Sequence, residues 1–141
     1  MREIKFRGLH GNKWIYGSLI RKIKPTEVED VTWCYLIHNG ALTAEEVDEK
    51  SIGQFTGLKD KNGKEIYEGD ICKFYDSKPN DEEEMMALGE DYNGGWHDVE
   101  RIGEVTFSEA TFWVGGTRWF SKVEVIGNIY ENPELLAIHQ A

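Results

Sequence analysis

Between Gly53 and Phe74 the chain runs Gly-Gln-Phe-Thr-Gly-Leu-Lys-Asp-Lys-Asn-Gly-Lys-Glu-Ile-Tyr-Glu-Gly-Asp-Ile-Cys-Lys-Phe, the densest run of turn chemistry in the sequence. Ile52 to Thr56 reads as a short strand bracketed by Gly53 and Gly57. Asp60-Lys-Asn-Gly63 is a turn, because Asn62 and Gly63 tolerate the positive φ that tight hairpins demand. Ile66 and Tyr67 form a small apolar anchor. Glu68-Gly69-Asp70 is a second turn, with Gly69 free to go left-handed and Asp70 placed to accept from nearby backbone amides. Ile71-Cys-Lys-Phe74 then launches a strand. The stretch reads as a crossing between two β units.

The rest of the chain repeats the pattern of short strands and tight turns. Arg2 to Leu9 alternates apolar and charged residues, as a half-buried strand does. His10 to Lys13 is a turn, and Trp14 to Ile20 is its hairpin partner, with Trp14, Tyr16 and Ser18 on one face and Ile15 and Leu19 on the other. Pro25 to Asp30 is an acidic connection, and Val31 to His38 the next strand. Thr43 to Glu46 fits either a capping box opening one helical turn or a turn before the strand at Ile52. Ile102–Phe107, with Gly103 as a bulge, Phe112–Val114, Thr117–Phe120 and Val123–Tyr130 continue the strands, and Gly115-Gly116 makes a hairpin turn. Asn132-Pro133 stops the last of them and opens a short helix carrying Leu135, Leu136 and Ile138.

Three blocks resemble the YopX family of phage and prophage proteins: Met1-Arg-Glu-Ile-Lys-Phe-Arg7, Gly53 to Asp70, and Val125-Ile-Gly-Asn-Ile-Tyr-Glu-Asn-Pro-Glu-Leu135. Their order and spacing span nearly the whole chain. The resemblance implies a mainly β protein with an SH3-like barrel in its C-terminal part, and a phage or prophage origin. It carries over no catalytic residue, since the family is one of unknown function. The predicted organisation is an N-terminal β subdomain over residues 1–57 and a barrel subdomain over 58–141, with an acidic insertion at about 75–98.

At 141 residues the chain can bury roughly two-thirds of its unfolded surface and needs no covalent staple. Cys34 and Cys72 lie in separate apolar strands and read as free thiols of a reducing compartment. No apolar run reaches the roughly 20 residues of a membrane span, and no signal peptide opens the sequence. These features predict a protein of the bacterial host cytoplasm without a membrane role. The net charge is −10, which argues against general nucleic-acid binding. It is uneven: residues 1–24 carry seven Lys or Arg against one Glu, and residues 75–100 carry nine acids against one Lys. That asymmetry permits head-to-tail pairing between copies, or docking on a basic partner as a nucleic-acid mimic. Lys5, Arg7, Lys13 and Arg21, near Trp14 and Tyr16, form the alternative: direct nucleic-acid binding through the first hairpin.

No motif in the sequence supports catalysis. His10, His38, His97 and His139 are scattered, with no ligand spacing for zinc. No glycine-rich loop leads into a helix with a lysine, and no Ser, Cys or Thr sits in a nucleophile motif. The predicted activity is therefore non-enzymatic binding of a protein partner, with no cofactor and no metal. The candidate contact residues are the exposed members of Phe112, Trp113, Trp119 and Phe120, aromatic anchors of the kind that dominate interfaces. Asn62, Gly63, Gly69 and Asp70 are expected to serve as structural turns.

Overall fold

In a computed structural model the chain is described at residues 3–24, 32–40, 43–79, 96–118 and 122–137. Among these residues ten strands form two antiparallel sheets. The first contains β1 (Phe6–His10), β2 (Lys13–Lys24), β3 (Thr32–His38), β4 (Ala44–Val47), β5 (Gly53–Lys59) and β6 (Glu65–Tyr67), in the order β4-β3-β2-β1-β5-β6. The second contains β7 (Asp70–Pro79), β8 (Trp96–Ser108), β9 (Thr111–Val114) and β10 (Glu124–Asn128), in the order β10-β7-β8-β9. A short helix, α1 (Glu134–Ala137), packs on β8. The mainly β expectation holds. The barrel implied by the resemblance does not close among the described residues, where β9 and β10 stay at opposite edges of an open sheet.

The alternation read from the sequence divides the first sheet into two faces. In the β1–β2 hairpin Phe6 pairs with Gly17 and Gly8 with Ile15, whereas Arg7 pairs with Tyr16 and Leu9 with Trp14. The Phe6 and Ile15 side packs with Ile37, Val47, Leu19, Tyr35 and Ile52 into a small core. The second core joins Ile66 to Cys72, Phe74, Val105, Phe112, Val114 and Val123. Ile66 thus belongs to a strand of the first sheet and to the core of the second. The expected boundary after residue 57 falls within β5.

Several local expectations are revised. Thr43 to Glu46 opens neither a helical turn nor a plain turn: Ala44–Val47 pairs with β3, and a 3-10 turn follows at Glu49–Ser51 with Asp48 as its cap. Pairing with Tyr35 through His38 satisfies the backbone of this segment better than an isolated helical turn would. Gly103 is not a bulge, because it pairs with Cys72 in unbroken register; the irregularity lies in β10 between Val125 and Gly127. The acidic insertion is shorter than 75–98. Strands β7 and β8 pair from Ile71↔Glu104 out to Pro79↔Trp96, helped by Arg101 Nη1 at 2.8 Å from Asp76 Oδ2 and by Ser77 donating to Asp98. β10 ends at Asn128, short of the expected Tyr130, and the Asn132 side chain accepts from Asn128 N rather than capping α1. The Pro25–Asp30 connection, most of the acidic insertion, Trp119, Phe120 and Ile138 lie outside the described residues.

Candidate functional site

The two sheets meet at a buried charge pair. Arg7 is on the β1 face that turns away from the first core, and Asp70 is the first residue of β7. Their side chains approach to 2.7 Å, with Arg7 5% and Asp70 2% exposed. The guanidinium lies over the rings of Trp14, 4.4 Å from its centroid, and Tyr67, 4.9 Å away. Its Nη2 forms the ion pair without a well-directed hydrogen bond, and Nε has no acceptor. Asp70 Oδ2 accepts from Tyr67 N, which fixes the turn between β6 and β7. Burial pushes the Asp70 carboxyl above its ordinary value, and Arg7 and the Tyr67 N–H offset part of that rise.

The chain after β10 completes this joint. Trp14 Nε1 and Asn128 Nδ2 both donate to Glu131 Oε1, and Asn128 Oδ1 accepts from Tyr130 N and Glu131 N. The Trp14 bond, with the Asn128 bond behind it, holds the Glu131 carboxyl below its ordinary value. Tyr130 meets Trp14 edge to face and covers Gly69. Gly69, at φ 91°, donates to Val105 O and accepts from Ile129 N, so this left-handed residue is bonded to β8 and to the segment after β10 at once. The three sequence blocks, far apart in the chain, converge here as one structural joint.

Asp60 makes a second clamp. Its Oδ1 accepts from Asn62 N and Lys64 N, and its Oδ2 from Val125 N. Gly63 takes φ 83° in the same turn. The expected turn residues Asn62, Gly63, Gly69 and Asp70 therefore sit in turns that tie the first sheet to β10 and β8. Asp70 does more than a turn residue needs, since it carries the buried ion pair.

The predicted aromatic patch is not assembled as a surface among the described residues. Phe112 is buried in the second core, because it alternates with the outward Trp113 along β9. Trp113 is half-buried, lies under Arg118 at 4.7 Å and donates to Ser108 O. The basic first hairpin also comes apart. Arg7 is buried, and Lys5 Nζ lies 2.6 Å from Glu65 Oε2. Cys72 is buried and free, and burial, with Asp70 adding to it, keeps its thiol protonated. No cluster of three His, Cys, Asp or Glu side chains fit to hold a metal occurs among the described residues. Glu104 and Glu68 line one cavity with Lys50 and Tyr130, and burial, then the Glu68 charge, raises the Glu104 carboxyl.

Exposed apolar side chains concentrate elsewhere. β2 leaves β1 at Gly17 and β3 leaves β4 at Tyr35. Beyond these points the two strands run on as a two-stranded arm through Lys22↔Cys34, Ile23↔Trp33 and Lys24↔Thr32. Gly17 marks the departure: it sits at φ 151°, and a Cβ there would fall 2.1 Å from the His38 carbonyl. On the arm Ile23 is 52% and Trp33 43% exposed, and Arg21 lies 3.9 Å over the Trp33 ring. Sequence reasoning ended this strand at Ile20. The signal that extends it is the continued alternation of Leu19, Arg21 and Ile23 on the side that forms the first core.

Residues 5–137 match the sequence pattern of the family described as YopX protein. The chain belongs to the YopX family. A solved structure similar to this YopX chain is the crystal structure of protein EF1440 from Enterococcus faecalis, at 23% identity and a TM-score of 0.49, covering 96% of this chain and 99% of that one. No curated protein matches it. No helix among the described residues of this YopX protein is long and apolar enough to cross a membrane.

Proposed function

We propose that this YopX protein is a non-enzymatic protein-binding module of phage or prophage origin, acting in the host cytoplasm, and that its contact element is the β2–β3 arm. The observation that carries the reading is the exposure of Ile23 and Trp33, with Ile20 at its base, on a ribbon that has no flanking strand among the described residues. A two-stranded ribbon is marginal by itself, and exposed apolar side chains beside unpaired strand edges mark a surface that gains from being covered. Arg21 and Lys22 flank the apolar residues with positive charge, and Lys24 pairs with Glu46 at 3.7 Å. The matching partner surface is an apolar patch with an acidic rim. The origin rests on the family resemblance.

The arm also supports a second reading. A two-stranded β-ribbon fits the major groove of duplex nucleic acid, and Arg21 and Lys22 would meet phosphates. The isoleucines favour the protein partner, since phosphate contacts need no apolar flank.

Affinity capture from nuclease-treated host lysate separates the readings. The tagged protein is compared with an Ile23→Ser/Trp33→Ser variant and with Trp113→Ala. One stoichiometric protein retained by the parent and by Trp113→Ala, and lost with the arm variant, is the expected result. Capture unaffected by the arm variant contradicts the proposal. Capture that vanishes on nuclease treatment supports the nucleic-acid reading.

A further inference from the structure

Beside the joint lies a cavity of about 190 Å³ lined by Arg7, Tyr16, Lys64, Glu65 and Tyr67. Two observations make it more than a dent between side chains. Arg7 is 95% buried, yet its Nε has no acceptor. A buried guanidinium N–H has lost its water and gained nothing in return, and an acceptor entering the cavity would restore that bond. The lining also holds a cation without an ion pair of its own. Asp70 answers Arg7, and Lys5 answers Glu65 at 2.6 Å. Lys64 makes no ion pair among the described residues, although its field reaches Asp60 and Asp70.

The lining sets the ligand class. An ammonium without an ion pair beside a buried N–H without an acceptor calls for an anion that can accept from both. The Glu65 carboxylate in the wall opposes a phosphate dianion, and a planar carboxylate suits the planar face of a guanidinium. Tyr16 and Tyr67, edge to face at 5.5 Å, supply apolar walls. We propose that this cavity binds a small monocarboxylate with an aromatic or similarly compact apolar body, its oxygens accepting from Arg7 Nε and Lys64 Nζ. The site is separate from the arm's Ile23 and Trp33, which lie on the opposite face of the first sheet; Ile20, at the base of the arm, shares the face of Arg7 and Tyr16.

The test is an NMR titration of the ¹⁵N-labelled protein with sodium benzoate at constant ionic strength, with benzamide and inorganic phosphate in parallel. Benzoate is expected to give saturable shifts at the backbone amides of Tyr16, Lys64 and Tyr67. Benzamide, the same shape without the charge, should bind at least about tenfold more weakly. Lys64 is exposed, so Lys64→Gln should keep the parent spectrum and weaken benzoate about tenfold. Shifts that never saturate, an equal response to benzamide, or unchanged affinity in Lys64→Gln would overturn the site. Phosphate binding as tightly as benzoate would overturn the monocarboxylate assignment.

Discussion

Asp60 shows how much of this fold rests on single carboxylates. It is buried and accepts from three backbone N–H groups, two in its own turn and one on β10. Burial alone would raise its pKa, but the bonds from Val125, Lys64 and Asn62 outweigh it and hold the carboxyl below its ordinary value. A carboxyl depressed by folding stabilises above its unfolded value of about 3.9, and that stability is lost as pH falls through the folded value. Asp60→Ala should therefore cost about 3 kcal/mol at pH 7. The gap between parent and variant in urea unfolding should close as the pH is lowered towards 2. A gap constant across that range would mean the charge is not what the clamp uses. Gly69 makes a different demand, with φ 91° and a Cβ position 3.0 Å from the Tyr130 ring. Gly69→Ala should cost about 2 kcal/mol in the same measurement. Both residues were legible as turn formers, because turn chemistry is local. Their long-range partners, Val125 and Tyr130, were not, since nothing in a turn names the strand it will touch.

At the scale of elements, legibility followed periodicity. The Thr111–Val114 strand, with clean alternation and a turn at each end, is found within a residue of where the sequence places it, whereas the first strand, expected over Arg2–Leu9, runs from Phe6 to His10. The Ala44–Val47 strand was hidden, because Ala-Glu-Glu reads as helix and only pairing with β3 makes it extended. The same alternation that defines β9 also decides the fate of the aromatic patch, sending Phe112 into the core and Trp113 outward. The arm was missed because charged residues interrupt it, yet those charges are where one side of the ribbon meets water. Trp33 contributes little to the core. Trp33→Ser should lower stability by less than about 1 kcal/mol while removing partner capture, a pairing of results that melting and capture on one preparation would check. A large loss of stability would place Trp33 in the core and take the arm out of the binding surface.

Among the described residues the molecule is two sheets, and the joint between them explains why three distant blocks of sequence go together. Met1–Arg7 brings the guanidinium, Gly53–Asp70 brings the carboxylate and the left-handed turn, and Val125–Leu135 brings the lid of Asn128, Tyr130 and Glu131. The blocks themselves were legible as a family resemblance. Their convergence was not, because a charge pair far apart in sequence leaves no local signature. Buried ion pairs contribute little over apolar replacements, but losing one partner is costly because the other charge stays behind. A double-mutant cycle in denaturant unfolding tests this directly, using Arg7→Met, Asp70→Asn and the two combined. Each single substitution should cost about 4 kcal/mol, and the double variant far less than their sum, with a coupling of more than about 1 kcal/mol. Losses that simply add would contradict the account: Arg7 and Asp70 would then be two buried residues, and something else would hold the sheets together.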